Sequence, residues 1–343
     1  MNAPVRIDLK DVSSFPSKRV EAWKYTDLRR ALRETPPASA PLAVTTTGPF
    51  DTIPGEDVVF ANGRLPDGEA SVFIDVADGA ERTIRLRFIS AGGGGNQPRI
   101  TINVMGRSRL LLLESHEGSG GYVANNRISL RVAPGSRVDR IVVLDEPSEA
   151  ISITRTDGQV TPEGVFNQTV LTRGAKIQRY ETNLDHEGDF SHARLDGLYL
   201  LDETRHADAT SVVRHNVRDG RTSQLTKGVV RDTARGVFQG KIIVERGADG
   251  TDARMGHHAL ILGERAEVDA KPELEIYADD VSCAHGNTVG NLDEAALFYM
   301  QQRGLPEEEA RALLTQAFLI EVVDRIEHEG AREVVRAWLE ARL

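Results

Sequence analysis

The chain has a single cysteine, Cys283, in 343 residues. One thiol cannot close an internal disulfide, and it cannot supply a cysteine zinc site. An iron–sulfur cluster takes about four thiolate or imidazole ligands, more than one such chain offers by itself. No apolar run reaches the ~18 residues of a membrane span. No apolar segment opens the chain in the manner of a secretory signal, so a reducing cytosol is expected. The N-Q-T triplet at Asn167 then carries no weight as a glycan acceptor. Positive charge is also in deficit, with a formal net charge of -10. That argues against a general nucleic-acid binder, which clusters Lys and Arg.

Signature loops are missing too. "AGGGGNQP" (Ala91 to Pro98) has neither the lysine nor the hydroxyl residue of a phosphate loop. "GSGGYV" fails the dinucleotide fingerprint at its last glycine, and neither G-x-S-x-G nor H-E-x-x-H occurs.

What is present is a soluble globular balance, 40% hydrophobic and 27% charged, long enough for two or three domains. "FPSKRVEAWKYTDLRRALRE" has no glycine and its only proline at the start, which predicts a helix followed by a Pro/Ser/Thr linker. From Arg99 to about Ala278 short apolar or alternating runs recur, each closed by Gly, Asp, Asn or Pro. "RISLRVAPG", "VDRIVVLDE" and "VFQGKIIVERG" are examples, and they read as short strands. Similar units surround Val138, Ile177 and Val268, but at irregular spacing. A sandwich and a parallel β-helix with uneven coils both remain open.

The C-terminal segment is helical. Asp293 is placed to cap "EAALFYMQQ", and Pro306 and three glutamates open the next helix. Leu314, Phe318, Val322 and Ile326 share one face of it, and Gly330 is expected to end it. The expected division is a helical and mixed region over 1–95, a β core over 96–290 and a helical domain over 291–343. These last helices are expected to be separable, so that a chain ending near Leu292 keeps its β core.

Candidate sites each have a structural alternative. His257 and His258 fit a strand end. Glu273 and Glu275 lie on one strand face about 6.5 Å apart, as a carbohydrate-cleaving acid pair or as a solvated face. Trp23 and Tyr25 fit a ligand grip or a core anchor. Cys283 and His285 alternate, so they share one side of an extended strand. A corner at Asp279 and Asp280 would turn Val281, Cys283 and His285 inward; without it all three face out. A transient soft-metal site and a buried thiol beside a satisfied histidine are both compatible with this.

"YADDVSCAHGNTVGNLDEAALFYMQQRGLPEEEARALLTQAF" resembles the C-terminal signature of the SufD family, subunits of the SUF iron–sulfur cluster assembly scaffold. "KPELEIYADDV", "TKGVVRDTARGVFQGKIIVERGADGTDA" and "RVEAWKYTDL" resemble the same family in the same order. The resemblance implies a mainly β fold: a right-handed parallel β-helix core flanked by N-terminal and C-terminal helical regions. It implies a non-catalytic subunit that joins a SufB-like homologue through the β-helix edge and a SufC-like ATPase through the C-terminal helices. A homodimer is implied as possible for the isolated chain, with no nucleic acid and no membrane.

The same resemblance implies a transient cluster at the subunit interface and none stably bound to the isolated chain. Its family motif maps onto His285, with Cys283 beside it. Asp279 or Asp280 would orient the imidazole, and Gly286 and Gly290 would admit a close backbone. Departures are Ala284 for the usual Ser, Asn287 where Ala is common, and the "HNVRDGRTSQ" and "GHHALIL" stretches.

Overall fold

The computed structural model describes residues 5–44 and 46–343. Its centre is a parallel β-solenoid of about eight turns, built from two long sheets. The first sheet, sheet I, consists in spatial order of β1 (Glu56–Ala61), β3 (Glu81–Ala91), β6 (Arg109–Ser119), β8 (Arg137–Asp145), β10 (Val165–Thr172), β12 (His192–Leu201), β14 (Arg221–Val230), β16 (Asp252–Ile261) and β18 (Ser282–Gly290). Sheet II runs from β2 (Ser71–Val76) through β5 (Arg99–Val104), β7 (Val123–Val132), β9 (Ile151–Val160), β11 (Ile177–His186), β13 (His206–His215) and β15 (Arg235–Val244) to β17 (Glu267–Ile276). The short β4 (Gly95–Asn96) joins sheet II beside β7. Successive strands alternate between the sheets, so one coil uses one strand of each.

A coil spans from 26 residues (177−151, Ile151↔Ile177) to 32 residues (267−235, Arg235↔Glu267). Val138 lies in sheet I but Ile177 and Val268 lie in sheet II, which is why comparing them gave no regular period. The repeat shows better in the corners. Arg107, Gly135, Glu163, Asp219 and Gly250 all have positive φ, from 54° to 76°, and each N–H donates to a carbonyl one coil further on. Only two of these are glycines, although Gly135 at φ 67° shows what the corner prefers.

Inward-facing side chains form the lumen: Ile84, Leu86, Ile102, Leu112, Val138, Phe166, Ile242 and Met255 pack in one cluster. Polar groups interrupt it. The carboxylate of Glu114 lies 2.7 Å from the Arg140 guanidinium, and both are buried. Arg140 also donates to Thr156 and Gln168, and His116 Nε2 lies 2.7 Å from Glu114. Desolvation pushes the Glu114 carboxyl up, yet Arg140 and His116 hold it below the usual carboxylate range. A depressed folded-state value means that the contribution of Glu114 is present above the unfolded carboxyl pKa and lost as pH falls. Glu114→Ala leaves Arg140 charged and unpaired, with an expected cost of about 3–5 kcal/mol in chemical denaturation. The double variant Glu114→Leu/Arg140→Met should recover most of it, and a single-variant loss under about 1 kcal/mol would contradict this account.

The outer face of each sheet is roofed. Helices α2 (Glu294–Gln302), α3 (Glu307–Asp324) and α4 (Glu329–Glu340) follow the last coil. Leu319, Val322, Val323, Ile326, Val335, Trp338 and Leu339 pack on Ile141, Val143, Leu171, Leu198, Leu225 and Val229 of sheet I. Asp293 accepts from Ala295 and Ala296 N–H, so it caps α2 as expected. The buried stripe of α3 centres on Thr315, Leu319 and Val322, with Leu314 and Phe318 only half-buried at its flank. Gly330 does not end this helix. It lies in the first turn of α4, which His328 caps through the Ala331 N–H.

On the N-terminal side the expected long helix is absent. Val12–Ser14 and Glu21–Trp23 are single 3-10 turns, and α1 (Leu28–Ala31) is one short turn of helix. The segment is an arm that lays Ile7, Leu9, Phe15, Trp23 and Leu28 on Val123, Ile151, Ile153 and Ile177 of sheet II. Packing against a flat sheet satisfies these apolar residues without helical period. Trp23 is the anchor: it is buried, and the buried Arg179 guanidinium sits 4.3 Å over its ring. The boundary near residue 95 also moves, because the solenoid sheets already begin at Glu56 and Gly95–Asn96 pairs inside sheet II. Among the described residues no helix is long and apolar enough to cross a membrane.

Candidate functional site

The solenoid ends abruptly. Among the described residues β18 pairs only with β16, and β17 only with β15, so the last coil leaves the outer edges of both strands without a described partner strand. Such an edge carries a row of free N–H and C=O groups and invites another strand. Exposed apolar side chains gather beside it: Ile276 (42% exposed), Tyr277 (55%) and Val289 (45%). Exposed apolar surface grouped at an open edge is a feature of interaction sites in general.

The direction of Cys283 and His285 follows from register. Ala253, Met255, His257 and Ala259 of β16 are buried and stand opposite Cys283, His285, Asn287 and Val289. In β17 the inward residues are Leu274 and Ile276, opposite the buried Ile242 and Val244. Inward parity therefore changes from even to odd between Ile276 and Val281, which is the corner the alternation required. Val281 and Cys283 pack against the lumen cluster. His285 and Asn287 belong to the same inward row, yet both are exposed, because no further coil covers them.

The two candidate groups differ chemically. Cys283 is half-buried, and burial pushes its thiol up, against a smaller opposing effect of the Ala253 backbone N–H. A raised thiol pKa makes a poor thiolate near neutral pH. The His285 imidazole has no hydrogen-bond partner among the described residues, so both ring nitrogens are open to an incoming group. Asp279 and Asp280 do not orient it: neither carboxylate bonds His285, and Asp280 contributes its backbone carbonyl to Gly250 N–H at 2.7 Å. A side chain at Gly286 or Gly290 would meet nothing within 4 Å. No contact among the described residues therefore requires glycine at either place. Among the described residues no three His, Cys, Asp or Glu side chains converge as a metal site. The edge offers at most two soft ligands from this chain.

Behind the edge lies a chain of polar contacts that sequence reasoning treated as a mere strand end. His257 Nδ1 lies 2.7 Å from Asn287 Oδ1, and His257 Nε2 lies 2.9 Å from the Tyr199 hydroxyl. Phe238 stacks on the same imidazole at 4.7 Å. Burial holds its pKa down to about 4, so it is neutral near pH 7. The neighbouring His258 points out and pairs with the Thr288 hydroxyl at 2.7 Å. Only parity separates the two histidines, and parity needs the correct sheet edge as its reference.

The other candidates resolve plainly. Glu275 meets Lys241 at 2.5 Å, and Glu273 meets Lys271 at 3.3 Å, on the outer face of β17. They are ion-paired surface carboxylates rather than a free acid pair. Lys271 also reaches Glu21 at 2.5 Å, tying the N-terminal arm to the last coil.

Residues 87–318 match the SUF system FeS cluster assembly, SufBD core domain. The iron–sulfur cluster assembly protein SufD of Escherichia coli strain K12 is 31% identical over 96% of this chain and 90% of its own length. A SufBD-family iron–sulfur cluster assembly protein of Mycobacterium leprae is 26% identical over 97% of this chain and 92% of its own. SufD of Bacillus subtilis is 30% identical over 51% of this chain and 39% of its own. With the β-solenoid and its open last coil, these matches identify the chain as a member of the SufD family of the SUF iron–sulfur cluster assembly system.

Proposed function

We propose that this chain is a non-catalytic scaffold subunit that assembles an iron–sulfur cluster, as cargo, between itself and a homologous SufB-like subunit. The cluster is held only while both chains are present. His285 contributes an imidazole to the nascent cluster and the partner supplies the thiolates. Cys283 stands beside it and serves packing. The observation that carries this reading is the open last coil, where an exposed, unbonded His285 belongs to a row that is otherwise core. The same edge allows a homodimer when the chain is alone. The free thiol suits a reducing compartment, the cytosol.

Hydrogen exchange tests the docking surface. Amides of Ser282–Gly290 and Glu267–Ile276 should slow when a SufB-like partner is added, because their outer-edge N–H groups gain acceptors. A complex that forms with no added protection of either strand would place the interface elsewhere.

A SufC-like ATPase is proposed to dock on α2 and the first half of α3. These helices carry Phe298 at 62% exposure, Tyr299 at 59% and Leu313 at 41%, away from the roof contacts made further along α3 and α4. Exposed aromatics of this kind are typical binding anchors, each worth about 2 kcal/mol or more. Phe298→Glu should weaken ATPase binding by at least about 30-fold at that value while leaving the thermal midpoint unchanged. Unaltered affinity in calorimetry of the Phe298→Glu/Tyr299→Glu double variant would reject this surface.

A further inference from the structure

A groove of about 440 Å³ runs across the outer face of sheet I, at the starts of β8 to β16, where the helical roof stops. Register explains its chemistry. Arg137, His192 and Arg221 fall in one cross-strand row, and Arg194 and Arg254 fall in the row two residues on. Strands lie about 4.8 Å apart, so Arg194, Arg221 and Arg254 occupy successive strands within about 10 Å. On a chain with net charge -10, that is a local reversal of sign.

The pairing is incomplete. Arg137 meets Asp139 at 2.7 Å and also contacts Glu327. Arg194 meets Glu327 at 3.2 Å and Asp196 at 3.4 Å. Arg254 meets Asp252 at 3.2 Å, with both side chains well exposed. Arg325, behind the groove, pairs with Asp196 and donates to Ser223. Arg221 is exposed and has no carboxylate partner among the described residues. Its register neighbours on the two sides are His192 and Asp252. Glu327 hangs from the α3–α4 turn and already presents a carboxylate to two of the guanidiniums.

We propose that this groove binds a small polyvalent oxyanion of the phosphate class, held by Arg221 with Arg194 and Arg254, and that Glu327 is the resident carboxylate it displaces. The volume lies within the range of small-molecule sites, about 300–1,000 Å³, and exceeds what a lone inorganic ion fills. Guanidinium forks on neighbouring strands suit bidentate contacts to phosphate oxygens. The hydroxyl of Ser223, which lines the groove, is a further donor. The site lies on the outside of sheet I and is separate from the inward row that holds His285.

Pyrophosphate titrated into the full chain, followed by calorimetry at low salt, tests this. Saturable binding is expected. Arg221→Ala should weaken it about tenfold, the loss of one charge-assisted contact pair. Glu327→Gln should tighten it about threefold by freeing Arg137 and Arg194. Arg64→Ala, an exposed arginine at the far end of the solenoid, serves as the control for bulk charge and should change nothing. All three lie on the surface, so unchanged thermal midpoints without ligand are expected. The proposal is overturned by an absence of saturable binding, by sodium chloride of equal ionic strength giving the same heat, or by Arg64→Ala and Arg221→Ala giving the same loss.

Discussion

His285→Ala is expected to block cluster assembly in cells while leaving the fold and the subunit complex intact. The side chain is exposed and makes no hydrogen bond among the described residues, so its removal should change stability by no more than about 0.5 kcal/mol. What it removes is an exposed imidazole of the kind that can bind iron or pass a proton. Even outer-shell changes at metal sites cost about 10- to 100-fold in metal affinity or activity, and a ligand should cost at least that much. Cys283→Ala should be milder, with a packing loss of about 1 kcal/mol and most assembly retained, because the half-buried thiol, its pKa raised by desolvation, is a weak thiolate. Complementation of a cluster-assembly-deficient strain measures both, with complex integrity followed by gel filtration. Full rescue by His285→Ala would remove the histidine from the site. Failure of Cys283→Ala with the complex intact would instead transfer the ligand role to the thiol.

Truncation at Leu292 is expected to give an aggregated chain, contrary to what the helical pattern alone implied. Removing α2 to α4 strips the roof from Ile141, Val143, Leu171, Leu198, Leu225 and Val229. Each such side chain is worth about 1.5–3 kcal/mol when buried. Exposing the whole row therefore consumes most or all of the about 5–15 kcal/mol that holds a domain folded. Ion pairs go with it, among them Lys227 with Glu321, Asp196 with Arg325 and Asp145 with Arg342. A graded version is Trp338→Ala. This buried tryptophan packs on the sheet with Arg342 4.5 Å over its ring, and its loss should cost about 3–5 kcal/mol. A soluble, monomeric chain ending at Leu292 with native melting behaviour would show that the solenoid does not need its roof. For this reason the proposed ATPase surface is better probed at Phe298 and Tyr299 than by deletion.

Much of the architecture was readable without coordinates. Short runs of β-branched residues closed by Gly, Asp and Asn gave the strands, Asp293 gave the α2 cap, and the Cys283-x-His285 alternation gave a shared face. These signals are local: a strand, a cap or a same-side pair depends on a few neighbouring residues. The coil repeat was not readable, because each coil holds two strands and its corner residue can be Arg107, Gly135, Glu163 or Asp219. Positive φ is enforced there by stacking on the next coil, not by residue type. The N-terminal arm misled for a related reason. Its apolar residues suit helix or sheet contact equally, and Val123, Ile151 and Ile153, far along the chain, decide between them.

The sequence by itself determined which residues alternate, where chains of strands give way to helices, and that one thiol and one imidazole share a side. Only the tertiary structure decided what lies opposite. Register on β16 makes His285 an inward residue, and the end of the solenoid leaves that inward residue exposed. Burial belongs to the coil above and the coil below. A strand that is the last of its sheet keeps the pattern of a core and has the exposure of a surface.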